Sequence, residues 1–400
     1  MDYFAESLRL HREMKGKVEI RSRMRLESMD DLSLAYTPGV ARPCERIAEY
    51  PGDAWDLTWK GRTVAVVSDG SAVLGLGNLG GVASLPVMEG KAALFREFGG
   101  VDAVPIVLST QDEDEIVRTV RAIAPTFGGI NLEDISAPRC FRIEAALQDL
   151  GIPVLHDDQH GTAIVLLAAL TNAARVLGVA LASLNVVVNG AGAAGRAIVR
   201  LLSCQEPDDR CIPVGKIRIC DSKGILAPSR TDLGEYKREL AEWTNPEDEG
   251  GKLRDALRGA NVFIGVSKGN LLQAEDIRTM APNAIVLAMA NPTPEIAPDE
   301  AEAGGAAIVG TGRSDYPNQV NNVLAFPGLF RGALAARATR FTTSMQYAAI
   351  EAIAESVGEP SPKRILPAPF DRSVAVKVAE RVAAAARQAG VCVVEPHSDA

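Results

Sequence analysis

The chain has 400 residues, with 42 lysine plus arginine against 51 aspartate plus glutamate, so its formal net charge is −9. Apolar residues make up 47% and charged residues 23%, ordinary globular usage that excludes a disordered chain. The acidic balance, without a lysine/arginine block of useful length, excludes a general nucleic-acid binder.

A chain of this length predicts two or three domains with ample core. The N-terminus is charged throughout and lacks the apolar stretch of a secretory signal. The longest apolar run, Ala163 to Leu170, is too short to span a bilayer and is followed by Asn172 and Arg175. Cys44, Cys140, Cys204, Cys211, Cys220 and Cys392 include no Cys-x-x-Cys pair, so they read as reduced thiols, not a disulfide frame or zinc site. The expectation is a soluble cytoplasmic protein with no membrane or nucleic-acid partner.

In chain order, residues 5–30 read as a charged helix or helix pair. Arg62–Ser68 is a continuous apolar run, as a buried parallel strand would be. A glycine-rich loop follows it. Then come a helix at Pro86–Phe98, a strand at Asp102–Leu108, a helix at Asp112–Ile123, a strand at Gly129–Glu133, a helix at Pro138–Leu150 and a strand at Pro153–His156. This alternation predicts a parallel sheet flanked by helices, an α/β class. Gly161–Leu177 reads as a long helix. A second β-α series opens with the strand Leu184–Val188 and ends with Ala307–Gly310, and beyond Pro327 the chain is helical again, broken at 365–371. Domain boundaries fall near residues 160 and 325, with the last segment packing back on the first domain.

Directly after the strand Leu184–Val188 and Asn189 comes Gly190-Ala191-Gly192-Ala193-Ala194-Gly195, and then a helical pattern. This is G-x-G-x-x-G in strand–turn–helix context. The glycines allow a tight turn, close approach of a pyrophosphate and close helix–strand packing, and the helix N-terminus favours the anion. The next strand ends in Asp221, suited to ribose hydroxyls and repelling a 2′-phosphate. That favours NAD over NADP, softened by Lys223. The plain alternative for Asp221 is an acid capping a turn.

Carboxylates collect at other strand ends. Glu133 and Asp134 close one strand, and His156-Asp157-Asp158-Gln159-His160 follows another. Strand ends of a parallel sheet face the ligand crevice, and carboxylates gathered there suit Mg²⁺ or Mn²⁺. Strand neighbours point to opposite faces, so Glu133 and Asp134 reach one ion only if the strand ends there. Asp157 or Asp158 also suits a cap on the helix opening at Gly161. His156 and His160 have zinc-like spacing for a helix, but Pro153 and Ile152–Leu155 put this segment in a strand-to-loop turn. Lys91, among apolar helical neighbours, is a candidate base with a pKa lowered toward neutrality. Tyr36, in a turn segment, is a candidate proton donor.

Together these segments resemble the malic enzyme family, in particular its short bacterial members. The stretches that carry the likeness are AYTPGVA at 35–41, SDGSAVLGLGNLGG at 68–81, VMEGKAALFREFGGVDA at 87–103, INLEDISAPRCF at 130–141, VLHDDQHGTA at 154–163, NGAGAAG at 189–195, ANPTPEI at 290–296 and TGRSDYPNQVNNVLAFPG at 311–328. The resemblance implies an N-terminal catalytic domain over 1–160, a Rossmann-type domain over 161–325 and a C-terminal helical segment over 326–400.

It further implies oxidative decarboxylation of L-malate to pyruvate and CO₂ with NAD or NADP and a divalent metal, and oxaloacetate decarboxylation as a partial reaction. Lys91 would be the base and Tyr36 the acid. Glu133, Asp134 and Asp158 would hold the metal, with Asp157 behind them. Asn291, Asn321 and Asn322 would meet substrate, Asn291 and Asn322 also the nicotinamide, while Thr162 and Gly190–Gly195 would meet the cofactor. A homodimer or higher homo-oligomer is implied, in which Tyr36 completes a partner's site. One departure stands out: where long members carry an arginine for a substrate carboxylate, this chain has Ser71 and Ala72. Two other readings compete. A lysine-based amino-acid dehydrogenase would need no metal, and a silent nucleotide sensor would need neither Lys91 nor Tyr36.

Overall fold

The run read as a buried strand forms β1, Thr63–Ser68, in a computed structural model that describes residues 2–393. All its residues are buried, as in a parallel strand covered on both faces. It lies inside a four-stranded parallel sheet of order β2-β1-β3-β4, with β2 at Asp102–Val107, β3 at Gly129–Leu132 and β4 at Val154–His156. The helices Gly81–Leu94, Glu113–Ile123 and Arg139–Ala146 connect these strands. The second sheet has the order β10-β9-β8-β5-β6-β7. Its strands are β5 Asn185–Asn189, β6 Lys216–Asp221, β7 Gly224–Ile225, β8 Val262–Gly265, β9 Ile285–Ala288 and β10 Ile308–Thr311. All pair in parallel except β7. Because β5 lies between β6 and β8, the strand order reverses there, and the crevice beyond its C-terminal end is the expected ligand position.

The helix Asp157–Leu177 leaves β4 directly and joins the two halves. Among the described residues it is the one helix long and apolar enough to cross a membrane, yet 67% of its most apolar window is buried within the protein. One core joins it to Val64 and Val66 of the first sheet, Val186 and Val188 of the second, and Phe326 and Val378 of the C-terminal helices. The rings of Phe326 and Phe330 pack edge-on against Phe95, 4.7 and 5.4 Å away, which seats the helix Phe326–Ala335 on the first domain.

Three expectations need correction. Residues 5–30 are not continuous helix: Tyr3–Met14 and Met29–Ala35 are helical, residues 15–28 are not, and neither helix buries a residue. The core helix opens at Asp157, four residues before Gly161, because backbone and side-chain contacts from Glu144 hold the turn out of β4. Cys204 and Cys211 form a disulfide rather than two reduced thiols, since the loop between them folds back on itself. The helix Glu235–Thr244 was not read from the sequence.

Candidate active site

A cleft of about 910 Å³ lies between the two sheets, at the C-terminal ends of β3, β5, β8 and β9. Lys91, Glu133, Asp134 and Asp158 line one wall; Ala193, Asn291 and Asn322 belong to the other.

Lys91 sits in the last turn of the helix Gly81–Leu94 and is buried. Its ammonium pairs with Asp157 and with Glu133, 2.9 Å from Oε1, and lies 4.0 Å from the centroid of the Phe326 ring. Burial alone would lower its pKa, but Asp157 and Glu133 outweigh burial and hold it above the ordinary lysine value. This reverses the sequence expectation of a lysine shifted toward neutrality, which took account of the apolar neighbours and not of the carboxylates folded against them.

β3 ends at Leu132, so Glu133 and Asp134 lie beyond the regular strand. Asp134 has a positive φ of 53° and its backbone N–H donates to Asp158 Oδ2 at 2.9 Å, which turns it to the same side as its neighbour. Burial, then repulsion by Asp158 and Glu133, pushes the Asp134 carboxyl well above its usual range, and burial does the same for Asp158. Asp157 rises to about 6, chiefly through burial, despite Lys91 beside it. Four carboxylates thus share one buried ammonium. Asp134 Oδ2 and Asp157 Oδ1 have no hydrogen-bond partner. A hard divalent cation with oxygen ligands suits this excess of negative charge and the free Asp134 oxygen; Asp157 Oδ1 faces Gly161 instead. Among the described residues, no three acidic, imidazole or thiol side chains already stand at ligating distance. Glu133 is drawn instead to Lys91 and to Asn131, whose Nδ2 donates to its Oε2 at 2.7 Å. The donor set fits such an ion in chemistry and burial, and Glu133 has to turn to complete it.

The glycine turn faces these acids. Gly190 has φ 127°, and a Cβ there would stand 2.4 Å from the Val266 carbonyl oxygen; at Gly195 it would stand 1.7 Å from the carbonyl oxygen of Gly190. Gly192 has nothing within 4 Å, so that side of the turn is open. The helix Ala193–Leu202 starts without a side-chain cap. Its first amides therefore face the cleft unused, ready for an anion. Gly192, Ala193, Ala194 and Thr162 line the cleft.

Asn291 follows β9 and lines the cleft. Asn322 donates from Nδ2 to Asp157 Oδ2, while the Asn321 side chain accepts the Val323 N–H at 3.0 Å and so serves the local turn. Asp221 ends β6 as expected, but its carboxylate is occupied: Arg230 donates at 3.0 and 3.1 Å and Lys237 at 2.7 Å. Burial would raise its pKa, yet these cations hold it to about 2.

Tyr36 is not brought to the cleft of its own chain. It caps the helix Met29–Ala35, is 69% exposed and does not line the space around Lys91. His156 and His160 do not form a pair: His156 has neither ring nitrogen hydrogen-bonded, and His160 Nε2 meets Glu144.

Sequence reasoning missed several contributors. Glu295 is fully buried, and its carboxylate accepts the backbone N–H of Ser267 at 2.8 Å and of Ala290 at 3.0 Å, tying together the loops after β8 and β9. Glu144 accepts the His156 N–H at 2.8 Å and Gln159 Nε2 at 2.9 Å; no spacing rule marks it. His11 and Lys17, read only as part of a charged helix, line the cleft.

Residues 15–148 match the family model "Malic enzyme, N-terminal domain", and residues 159–387 match "Malic enzyme, NAD binding domain". The chain is 53% identical over 390 residues to the bifunctional malic/malolactic enzyme of Bacillus subtilis, covering 96% of this chain and 93% of that one. It is 44% identical over 407 residues to the NADP-dependent malic enzyme of Halomonas elongata, covering 98% and 92%. The crystal structure of an NAD-dependent malic enzyme from Thermotoga maritima superposes with a TM-score of 0.90 at 48% identity, covering 94% of this chain and 98% of that one.

Proposed function

The chain belongs to the malic enzyme family, and we propose from that premise that it converts L-malate and NAD or NADP to pyruvate, CO₂ and the reduced nicotinamide, with Mg²⁺ or Mn²⁺ required. The observation that carries this reading is Lys91, buried against Asp157 and Glu133 beside two further carboxylates, facing the uncapped helix N-terminus across one cleft.

Glu133, Asp134 and Asp158 would hold the cation. When bound, it supplies Lewis-acid charge that polarises a carbonyl and offsets the carboxylates keeping Lys91 protonated. Lys91, once neutral, would take the proton of the malate 2-hydroxyl, and the nicotinamide, when bound, would supply the acceptor for the C2 hydride. Asn291 and Asn322 orient the substrate against it. The amides opening the helix Ala193–Leu202 hold the pyrophosphate. Loss of CO₂ leaves an enolate whose carbon takes a proton from a tyrosine. Oxaloacetate decarboxylation is the second half of this sequence run alone. NAD is preferred through Asp221, and NADP is accepted where Arg230 and Lys237, both bonded to that aspartate, turn from it to a 2′-phosphate.

The proton donor is Tyr36 of a second copy, and the working unit is a homodimer. The arm that carries Tyr36 buries none of its helical residues, and Phe4, Ile20, Met29 and Leu34 are each at least 70% exposed. Such short helices do not persist in water uncovered. A groove of about 930 Å³ lies between residues 17–23 of the arm and the Lys91 helix, lined by both cations and acids, and meets the cleft at Lys17.

The test is product analysis with L-malate, Mn²⁺ and each cofactor. Pyruvate, CO₂ and reduced cofactor should form in equal amounts. Oxaloacetate accumulating without CO₂, or lactate without cofactor reduction, would contradict the reading.

A further inference from the structure

Malate has two carboxylates: C1, beside the hydroxyl carbon that Lys91 serves, and the distal C4, which is the one released as CO₂. The distal carboxylate must also leave water, and a buried anion without a cation is costly. The loop after β1 offers only Ser71, turned inward onto Asp69 at 2.6 Å, and the uncharged Ala72. Among the described side chains lining the cleft, Lys17 and Lys91 are the two lysines, and no arginine joins them. Lys91 is held by Asp157 and Glu133. We propose that Lys17 is the cationic anchor for the distal carboxylate of the substrate and a determinant of specificity for a four-carbon dicarboxylic hydroxy acid. This rests on the malate reading above.

The local structure is built to deliver that ammonium. Lys15 and Gly16 have φ of 55° and 106°, so the chain turns sharply as the helix Tyr3–Met14 ends. The Lys17 backbone N–H donates to Glu89 Oε2 at 2.9 Å, two residues before Lys91 on its helix. The Lys17 ammonium lies on the same helix, donating to the Pro86 carbonyl at 2.7 Å. It stands 3.7 Å from where a Cβ on Gly90 would be, and Gly90 precedes Lys91. His11 holds it from the other side. His11 Nδ1 lies 2.7 Å from the Ser7 carbonyl oxygen and so carries the proton; Nε2, 2.7 Å from Lys17 Nζ, accepts. An ammonium has three donors. The carbonyl and the imidazole take two, and the third is left for a carboxylate in a charge-assisted bond. Since the helix Tyr3–Met14 buries no residue, apolar packing within its own chain does not fix it here; these polar contacts do.

The test is steady-state kinetics on the full chain with saturating Mn²⁺ and cofactor, comparing wild type, Lys17→Met and Lys17→Arg. Oxalate, a two-carbon competitor without the C3–C4 arm of malate, is the probe for the C1–C2 end. Lys17→Met should raise the KM for L-malate by roughly 10- to 100-fold, the loss expected for a hydrogen bond between charged groups. It should leave kcat within a few-fold, and oxalate inhibition and cofactor affinity unchanged. Lys17→Arg should recover most of the KM. An unchanged KM in Lys17→Met overturns the assignment. So does a parallel loss of malate, oxalate and cofactor binding, which marks a structural role. A wild type that does not oxidise malate at all removes the malate reading itself, a failure distinct from either.

Discussion

The ammonium of Lys91 lies 2.9 Å from Oε1 of Glu133, and the two side chains are only 6% and 7% exposed. The proposed base is thus in direct contact with one carboxylate of the proposed metal set. Asp157 and Glu133 hold the lysine above its ordinary value, and positive charge brought to Glu133 would weaken that hold.

Lys91→Ala should therefore abolish turnover while cofactor still binds, since the glycine turn and the helix Ala193–Leu202 do not touch it. Nucleotide affinity measured by fluorescence beside the steady-state rate checks both halves. Activity within an order of magnitude of wild type would rule out Lys91 as the base.

Tyr36→Phe and Lys91→Ala should each be inactive as homodimers. A doubly tagged heterodimer of the two should regain about half the wild-type rate per dimer, because one of its sites pairs an intact Lys91 with the partner's intact Tyr36. If Tyr36 acted within its own chain, every site would lack one group and the heterodimer would stay inactive.

Asp221→Asn should shift cofactor preference toward NADP, by a few-fold to about tenfold in the kcat/KM ratio, because it frees Arg230 and Lys237 for a 2′-phosphate. A ratio unmoved by this substitution would show that the cofactor's ribose is read elsewhere.

Asp208 ties the loop 204–211 to the helix Thr343–Glu355, accepting from Arg210 at 2.9 Å and Ser344 Oγ at 2.6 Å. Burial would raise its pKa, but Arg210 and Ser344 hold it to about 2. A carboxylate depressed on folding adds stability above its unfolded pKa of about 3.9 and loses it as pH falls through the folded value. Asp208→Asn should thus be less stable than wild type in urea at pH 7, and the gap should close between about pH 4 and pH 2. A gap independent of pH would argue against the ionised contact.

Much of the site was legible because its chemistry sits at strand ends and in a glycine turn, where spacing alone limits geometry. Glu133, Asp134, Asp158 and Gly190–Gly195 lie in such places, and all of them meet one cleft or frame its turn. What spacing does not carry is which partner folds against a group. Lys91 looked like a lysine in apolar company, and its pKa was misjudged because Asp157 arrives from 66 residues away. Asp221 looked free until Arg230 and Lys237 returned to it. Glu144 and Glu295 hold backbone amides, a role with no periodic signature. Lys17 and Tyr36 lie in an arm whose helical residues bury nothing, so hydrophobic patterning gave no guide to where it docks.

The most direct measurement follows the reduced-nicotinamide absorbance with L-malate, after exhaustive chelation and then on stepwise return of Mn²⁺. The account predicts no reduction in the chelated protein, recovery that saturates with Mn²⁺, and loss of that recovery in Asp158→Asn with cofactor binding intact. Full malate-dependent reduction without a divalent ion would contradict it.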